Sequence, residues 1–237
     1  MTPDNLAAVE NSDFVGSRSS ARASKTSPAG LDTLRDVARR EFVARGYHAV
    51  SIRDIAKESG SSLSVLYHYY ASKQELLYSV LNEAIDSFHA TLESHAPDLE
   101  KNADPVQRFA AVIESLVVYR ATRKLDSLLF IRELRNLEPK YAQLISSRRA
   151  DVRELLDTVI TDGVAAGVFK TPFPADARRT IVAMLNAIAE WYRQPGELTI
   201  EMLVARYTRL ALAVVEYAGD LNTTAKASDS MWAQTTD

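Results

Sequence analysis

SIRDIAKESGSSLSVLYHYYASK, residues 51–73, decides how this chain reads. Its spacing predicts two short helices joined by a glycine turn, then the start of a third. Ser51 stands where an N-cap belongs, and Asp54 follows three residues on, where a carboxylate suits the positive end of a helix. Gly60 permits the left-handed residue that a tight turn requires. Ser62 caps a helix running to about Tyr70. Ser72 and Glu75 form an S-x-x-E capping box for the next one. In the middle helix, Leu66 and Tyr70 share one face and can pack on Phe42 and Ile55. Leu63, Ser64, Tyr67 and His68 share another, which packing does not call for.

A helix entering the major groove of DNA gives that second face a role. Serine bonds base edges or phosphates, leucine touches a thymine methyl, and tyrosine and histidine donate to phosphate oxygens. The competing reading is that the short helices only close a small core, in a helical protein-interaction module without sequence-specific DNA binding.

Outward from this stretch the pattern stays helical. Residues 31–45 place Leu34, Val37, Ala38 and Phe42 on one face, with Gly46 at the C-terminal end. Leu76, Leu77, Val80, Leu81, Ala84, Ile85 and Phe88 form one wide apolar stripe, and Pro97 marks the end of that helix. Further helices are expected near 105–122, 125–136, 139–166, 176–193 and 199–218, with Pro105 and Pro139 in first turns. The expected fold is all-α, an N-terminal three-helix helix-turn-helix unit at 30–75 followed by a C-terminal helical bundle at 76–218. Residues 1–29 and 219–237, poor in large apolar groups, are expected to be a disordered arm and a flexible tail.

Composition bounds the function. The 237 residues carry 46% hydrophobic and 25% charged side chains, a globular balance. The absence of cysteine excludes disulfides, thiolate metal sites and a Cys nucleophile. No apolar run suggests a membrane span or a signal core, so the expected location is cytoplasmic. The four histidines show no metal-ligand spacing, and no nucleotide loop or G-x-S-x-G elbow occurs, so the expectation is a non-enzyme without metal or cofactor. Net charge is −3, yet residues 17–73 hold ten lysines and arginines against five acids, a local excess compatible with phosphate.

The stretch 31–77 resembles the N-terminal domain of the TetR family of transcriptional regulators. The likeness lies in the Phe42…Gly46-Tyr47 helix end, the S-I-R-D-I-A run at 51–56, the Gly60 turn and L-Y-H-Y-Y-A-S-K-Q-E-L-L at 66–77. Ser61 and Ser64 depart from the family pattern of an apolar residue and a glycine. The resemblance implies a homodimeric repressor of double-stranded operator DNA, released by a small molecule bound in the C-terminal domain. By position, Ser51, Tyr67, Tyr69 and Lys73 would contact phosphate. Ser62, Leu63, Ser64 and His68 would face the groove, with Arg18, Arg22 and Lys25 as an arm in an adjacent groove.

The resemblance implies that the last two helices form the dimer interface; an internal core explains their periodicity equally well. Their stripes are Ile181, Val182, Leu185, Ile188 and Ala189, then Leu203, Val204, Tyr207, Leu210, Ala211 and Val214. The segment 191–196, WYRQPG, resembles a helix end in family members that sense acyl-CoA thioesters. The expected ligand residues are therefore Phe130, Arg132, Trp191 and Arg193, with Arg135, Arg148 and Arg149 as further cations.

Overall fold

A computed structural model describes residues 28–95 and 104–220. The segments read as arm and tail lie almost wholly outside them, as does Pro97. Ten α-helices run in order: α1 Pro28–Arg45, α2 Ile52–Glu58, α3 Leu63–Tyr69, α4 Lys73–His95, α5 Pro105–Thr122, α6 Lys124–Glu133, α7 Pro139–Arg148, α8 Ala150–Ala165, α9 Pro174–Trp191 and α10 Ile200–Val214. Extended pairing among the described residues is a single Phe169–Tyr217 bridge. The fold is all-α, as the periodicity predicts. No described helix is long and apolar enough to cross a membrane.

The helices close over two apolar cores. The first gathers Leu34, Val37 and Phe42 of α1, Ile55 of α2, Leu66 of α3 and Leu76, Leu77, Val80 and Leu81 of α4. Leu129 of α6 and Ile145 of α7 join it, so the N-terminal unit is packed onto the bundle. The second core is built around α5, whose Phe109, Ile113, Val117 and Tyr119 are at most 1% exposed. A helix apolar on nearly every side must be surrounded; α4, α6, α8, α9 and α10 all pack against α5.

Three helix boundaries differ from the sequence reading. The helix expected over 125–136 ends at Glu133, and a 3-10 turn covers Leu134–Asn136. The helix expected over 139–166 is two helices offset at Arg149. No glycine or proline marks that joint. Arg148 reaches back to Asn82 and Asp86 of α4 at 2.5 and 2.6 Å, whereas the Arg149 guanidinium lies 5.3 Å from the Phe130 ring on α6. The last helix stops at Val214. Residues 215–218 then turn back, with Ala218 N–H donating to Val168 O at 3.0 Å.

Within this single chain the α9 and α10 stripes are mostly core. Ile181, Leu185, Ile188, Ala189, Leu203, Val204 and Ala211 are buried in the core of this single chain. Val182, Tyr207 and Val214 are half-buried, and only Leu210 of the named set is exposed. Those stripes hold the bundle together, and the outward edge of the two helices is instead Trp191, Met202 and Leu210.

Of the described glycines Gly163 is the most closely packed: an added Cβ would lie 2.1 Å from Cδ2 of Phe169, itself 1% exposed. The ring has no open side to move into. Gly163→Ala should therefore destabilise the protein by about 1–3 kcal/mol through overpacking. A lowered denaturant midpoint at unchanged slope is the expected reading.

Candidate nucleic-acid interface and internal cavity

The helix-turn-helix is set by its caps. Ser51 is extended at φ −94°, ψ 157°, and its Oγ accepts from Asp54 N–H at 3.1 Å while Asp54 Oδ2 accepts from Ser51 N–H at 2.9 Å. These reciprocal bonds hold the exposed Asp54 carboxyl below its usual range. Gly60 takes φ +64° in the turn. Ser62 Oγ accepts from Val65 N–H at 3.2 Å, fixing the first turn of α3. Ser72 Oγ accepts from Glu75 N–H, and Glu75 reaches back to Ala71 N–H, at the head of α4. Three serines thus set three helix starts.

Leu66 of α3 and Tyr70, just past its end, are buried in one core with Phe42 and Ile55. Ser62, Ser64, Tyr67 and His68 are exposed, as is Ser51 at the head of α2. Leu63 and Tyr69 differ from a purely outward set: both are half-buried against the core. The Tyr69 ring meets His68 edge-on at 5.2 Å. Lys73 is half-buried, its ammonium 4.0 Å from the Tyr47 ring centre, and burial lowers its pKa. Arg53 and Lys57 of α2 stand exposed on the same unit. Arg18, Arg22 and Lys25 lie outside the described residues.

Part of the local basic excess faces inward. Arg39 contacts Asp36 at 2.6 Å, Glu83 of α4 at 2.7 Å and Asp126 of α6 at 2.6 Å. Its Nε–H is not aimed at the Asp126 oxygen, so this last pair is a charge contact without a directed hydrogen bond. Burial pushes the Asp126 carboxyl above the usual carboxylate range, and Arg39 and Arg123 pull it back. Arg35 adds contacts to Asp32 and Glu83. A second clasp lies at the other end of α1. Buried Glu133 accepts from Tyr47 N–H at 3.1 Å and from Asn136 at 2.7 Å. Gln74 donates to Tyr47 Oη and to Asn136 O.

Between the bundle helices lies a cavity of about 160 Å³ that opens to solvent on one side. Its wall is Ala84, Ile85 and Phe88 of α4, Leu116, Tyr119 and Arg120 of α5, Phe130, Ile131 and Leu134 around α6, and Arg149, Val152 and Asn186. A second space of about 100 Å³ shares Leu116, Arg120, Arg149, Val152 and Asn186 with it and adds Arg153 and Arg178. Of the expected ligand residues only Phe130 lines either space. Arg132 pairs with Glu190 at 2.6 Å and also reaches Val43 O. Trp191 is 45% exposed and stacks on Tyr207. Arg193 donates to Glu190 O and Tyr192 O, locking the end of α9.

Sequence reading named Arg149 only among further cations and missed Arg120. A single arginine near the end of an apolar helix reads as a partner of the helix dipole, and nothing in its spacing marks it as a wall residue.

A capped recognition-type helix on a small unit, docked on a bundle with a cavity between its helices, defines a helix-turn-helix protein with a separate sensing core. The chain belongs to the TetR family of bacterial regulatory proteins. The family's N-terminal model matches residues 34–80, and the tetracyclin repressor-like C-terminal domain matches residues 102–215. The transcriptional repressor KstR2 of Mycobacterium tuberculosis H37Rv is 25% identical over 193 residues, 78% of this chain and 92% of that protein. A tetR-family regulatory protein from Rhodococcus RHA1 superposes with a TM-score of 0.73 at 25% identity, covering 81% of this chain and 100% of that one. AibR, solved in complex with isovaleryl coenzyme A and operator DNA, has the same fold, with a TM-score of 0.68 at 20% identity over 78% of this chain and 98% of its own.

Asp126→Ala would leave Arg39, whose side chain is 12% exposed, without its α6 partner. Glu83 and Asp36 still hold Arg39, so the loss should fall below the cost of a fully broken buried pair, at about 1–3 kcal/mol. The exposed Asp32→Ala should cost under about 1 kcal/mol. Paired unfolding curves of the two variants check the difference.

Proposed function

We propose that this chain is a repressor that binds palindromic operator DNA as a homodimer and is released by a small molecule, an acyl-CoA thioester, in its bundle. The observation that carries the DNA reading is the outward face of α3. Ser64, Tyr67 and His68 are uncovered on a helix whose Leu66 is buried in the core. Residues 30–75 are the DNA-binding unit in this reading, and 76–218 hold the effector and dimer functions. Ser51, Tyr67, Tyr69 and Lys73 contact phosphate, while Ser62, Leu63, Ser64 and His68 face the groove. Lys73 reaches the backbone from its stack on Tyr47, whose ring holds the ammonium beside the α4 start.

Two copies pair through the outward edge of α9 and α10. Trp191, Met202 and Leu210 are large apolar side chains left 42–50% exposed in the monomer. A two-fold pairing sets two α3 helices at half-sites about one DNA turn apart. The cavity between α4, α5, α6 and α8 takes the effector, and binding shifts the population toward a spacing that no longer fits DNA. AibR, crystallised with an acyl-CoA and its operator, supports the effector class through a shared fold.

Selection from random duplexes followed by footprinting at physiological salt tests the whole reading. Protection of a two-fold symmetric site supports it; only weak, salt-labile binding to every duplex refutes it. Lys73→Ala should weaken all duplexes alike and flatten the plot of log K against log salt by about one unit. Leu210→Arg should shift the sedimenting species from dimer to monomer at micromolar concentration while leaving the helical signal intact.

A further inference from the structure

We infer that the cavity is an oxyanion site. It takes an amphipathic ligand whose apolar body lies against Ile85, Phe88 and Phe130 and whose negative group sits between the guanidiniums of Arg120 and Arg149. This rests on the effector reading above and supplies its chemistry.

The observation is a concentration of arginine charge with nothing to balance it. Arg120 lies on the wall common to both spaces, wrapped by α5, α6 and the start of α8. Of its five N–H donors, one finds Ser127 Oγ at a long 3.4 Å, and its buried Nε has no partner. Arg149 lies on the same wall, its guanidinium 5.3 Å from the Phe130 ring. Arg153 edges the smaller space. Among the described residues none of these three has a carboxylate within ion-pair distance. Arg178, the fourth, is neutralised by Asp157 at 2.6 Å. No aspartate or glutamate lines either space.

Burial and the neighbouring Arg149 push the Arg120 pKa down to about 10, so the group still carries its charge at neutral pH. Proximity of Arg153 adds to the burial that lowers Arg149. Arg120 and Arg149 are half-buried in this wall, and charges drawn partly out of water are ordinarily paired, because leaving one unpaired is costly. The missing partner is therefore expected from outside the chain. A neutral ligand would desolvate these guanidiniums further and return nothing; a cation would be repelled. A carboxylate or phosphate oxygen pair matches the planar fork of arginine and meets it with charge-assisted bonds. The Asn186 amide on the same wall adds a donor.

The charge sits at the junction of the two spaces; Leu156, Val182 and Leu185 line the smaller one, and Ile85, Phe88 and Phe130 give the larger one the aromatic wall and the room for the apolar body. The site also touches the clasp. Among the described residues the side chain that receives a bond from Arg120 is Ser127, next to Asp126, the α6 partner of Arg39. An anion that draws Arg120 away from Ser127 acts on α6 where α1 is held.

The test uses the full chain and a panel of short and medium-chain carboxylic acids, their neutral methyl esters, their CoA thioesters and CoA alone. Thermal shift and calorimetry are the readouts, with an operator gel shift run in parallel. Acids or thioesters should stabilise the protein saturably and the esters should not. Arg120→Gln and Arg149→Gln should each weaken that binding about tenfold or more, the loss expected for a charge-assisted bond. Binding of the free acids places a carboxylate between the arginines. Binding of the thioesters alone, with the same loss in both variants, places a CoA phosphate there.

Three results overturn the site: esters binding as well as acids, both variants binding as well as the parent, or no panel member stabilising the chain while operator binding persists. Failure of operator binding counts against the regulator reading and leaves the cavity result standing. The ligand-free protein gives a second measure. Arg120→Met, which removes an unpaired charge at similar volume, should raise Tm by about 2–4 °C. A lowered Tm would make Arg120 a structural residue and overturn the assignment.

Discussion

The contact of Arg39 with Asp126 and Glu83 is the constraint on which the arrangement of this molecule depends. One guanidinium on α1 is held by carboxylates from α4 and α6, so the N-terminal unit has a fixed seat on the bundle. Such a cluster contributes little net stability, because desolvating the ions offsets most of their attraction. Its effect is on geometry: a rotated head would leave charges buried without partners. The Glu133 clasp works at the far end of the same helix, through Tyr47 N–H and the Gln74–Asn136 bonds. Both clasps run through α6 and the turn after it. Where that helix goes, the head follows.

α4 supplies the other half of the connection. Its first turns, with Leu76, Leu77, Val80 and Leu81, belong to the head core. One turn later Ala84, Ile85 and Phe88 line the cavity. Tyr119 Oη donates to Ala84 O at 2.7 Å, tying α4 to α5 at the cavity wall. Arg148 and the stacked pair Tyr78–Tyr141 tie α4 to α7. A ligand that favours one position of α4 and α6 therefore biases the head directly, with no chain of intermediate contacts required. The differential affinity needed is a few kcal/mol.

What the sequence made legible was local. The three serine caps, the glycine turn and the buried face of α3 follow from spacing, because each depends on neighbours a few residues away. What stayed hidden depended on partners far along the chain. Periodicity marks Ile181, Leu185 and Ile188 as apolar, and does not distinguish a core from an interface; the structure places all three in the monomer core. Arginines behave the same way. Arg132 and Arg193 look like ligand cations beside an aromatic helix end, yet they bind Glu190 and the end of α9. Arg35 and Arg39 add to a basic count that suggests phosphate, yet they point toward Glu83. Charge tallied along a chain is not the field at a surface, since paired cations cancel locally. The joint at Arg149 had no signal either, because the offset accompanies contacts of Arg148 and Arg149 with two different helices.

The molecule thus treats its buried and half-buried arginines in two opposite ways, and the difference separates structure from function. Arg39, Arg108 and Arg178 each contact a carboxylate at 2.6–2.7 Å, and each joins two helices. Arg120 and Arg149 face a space instead. A chain selected only for stability would have filled that space with aliphatic groups or paired those charges, since either change removes a penalty. Local rules are broken at sites where something else is being satisfied. Here the broken rule is charge balance, and it is broken beside the helix that seats the DNA-reading head.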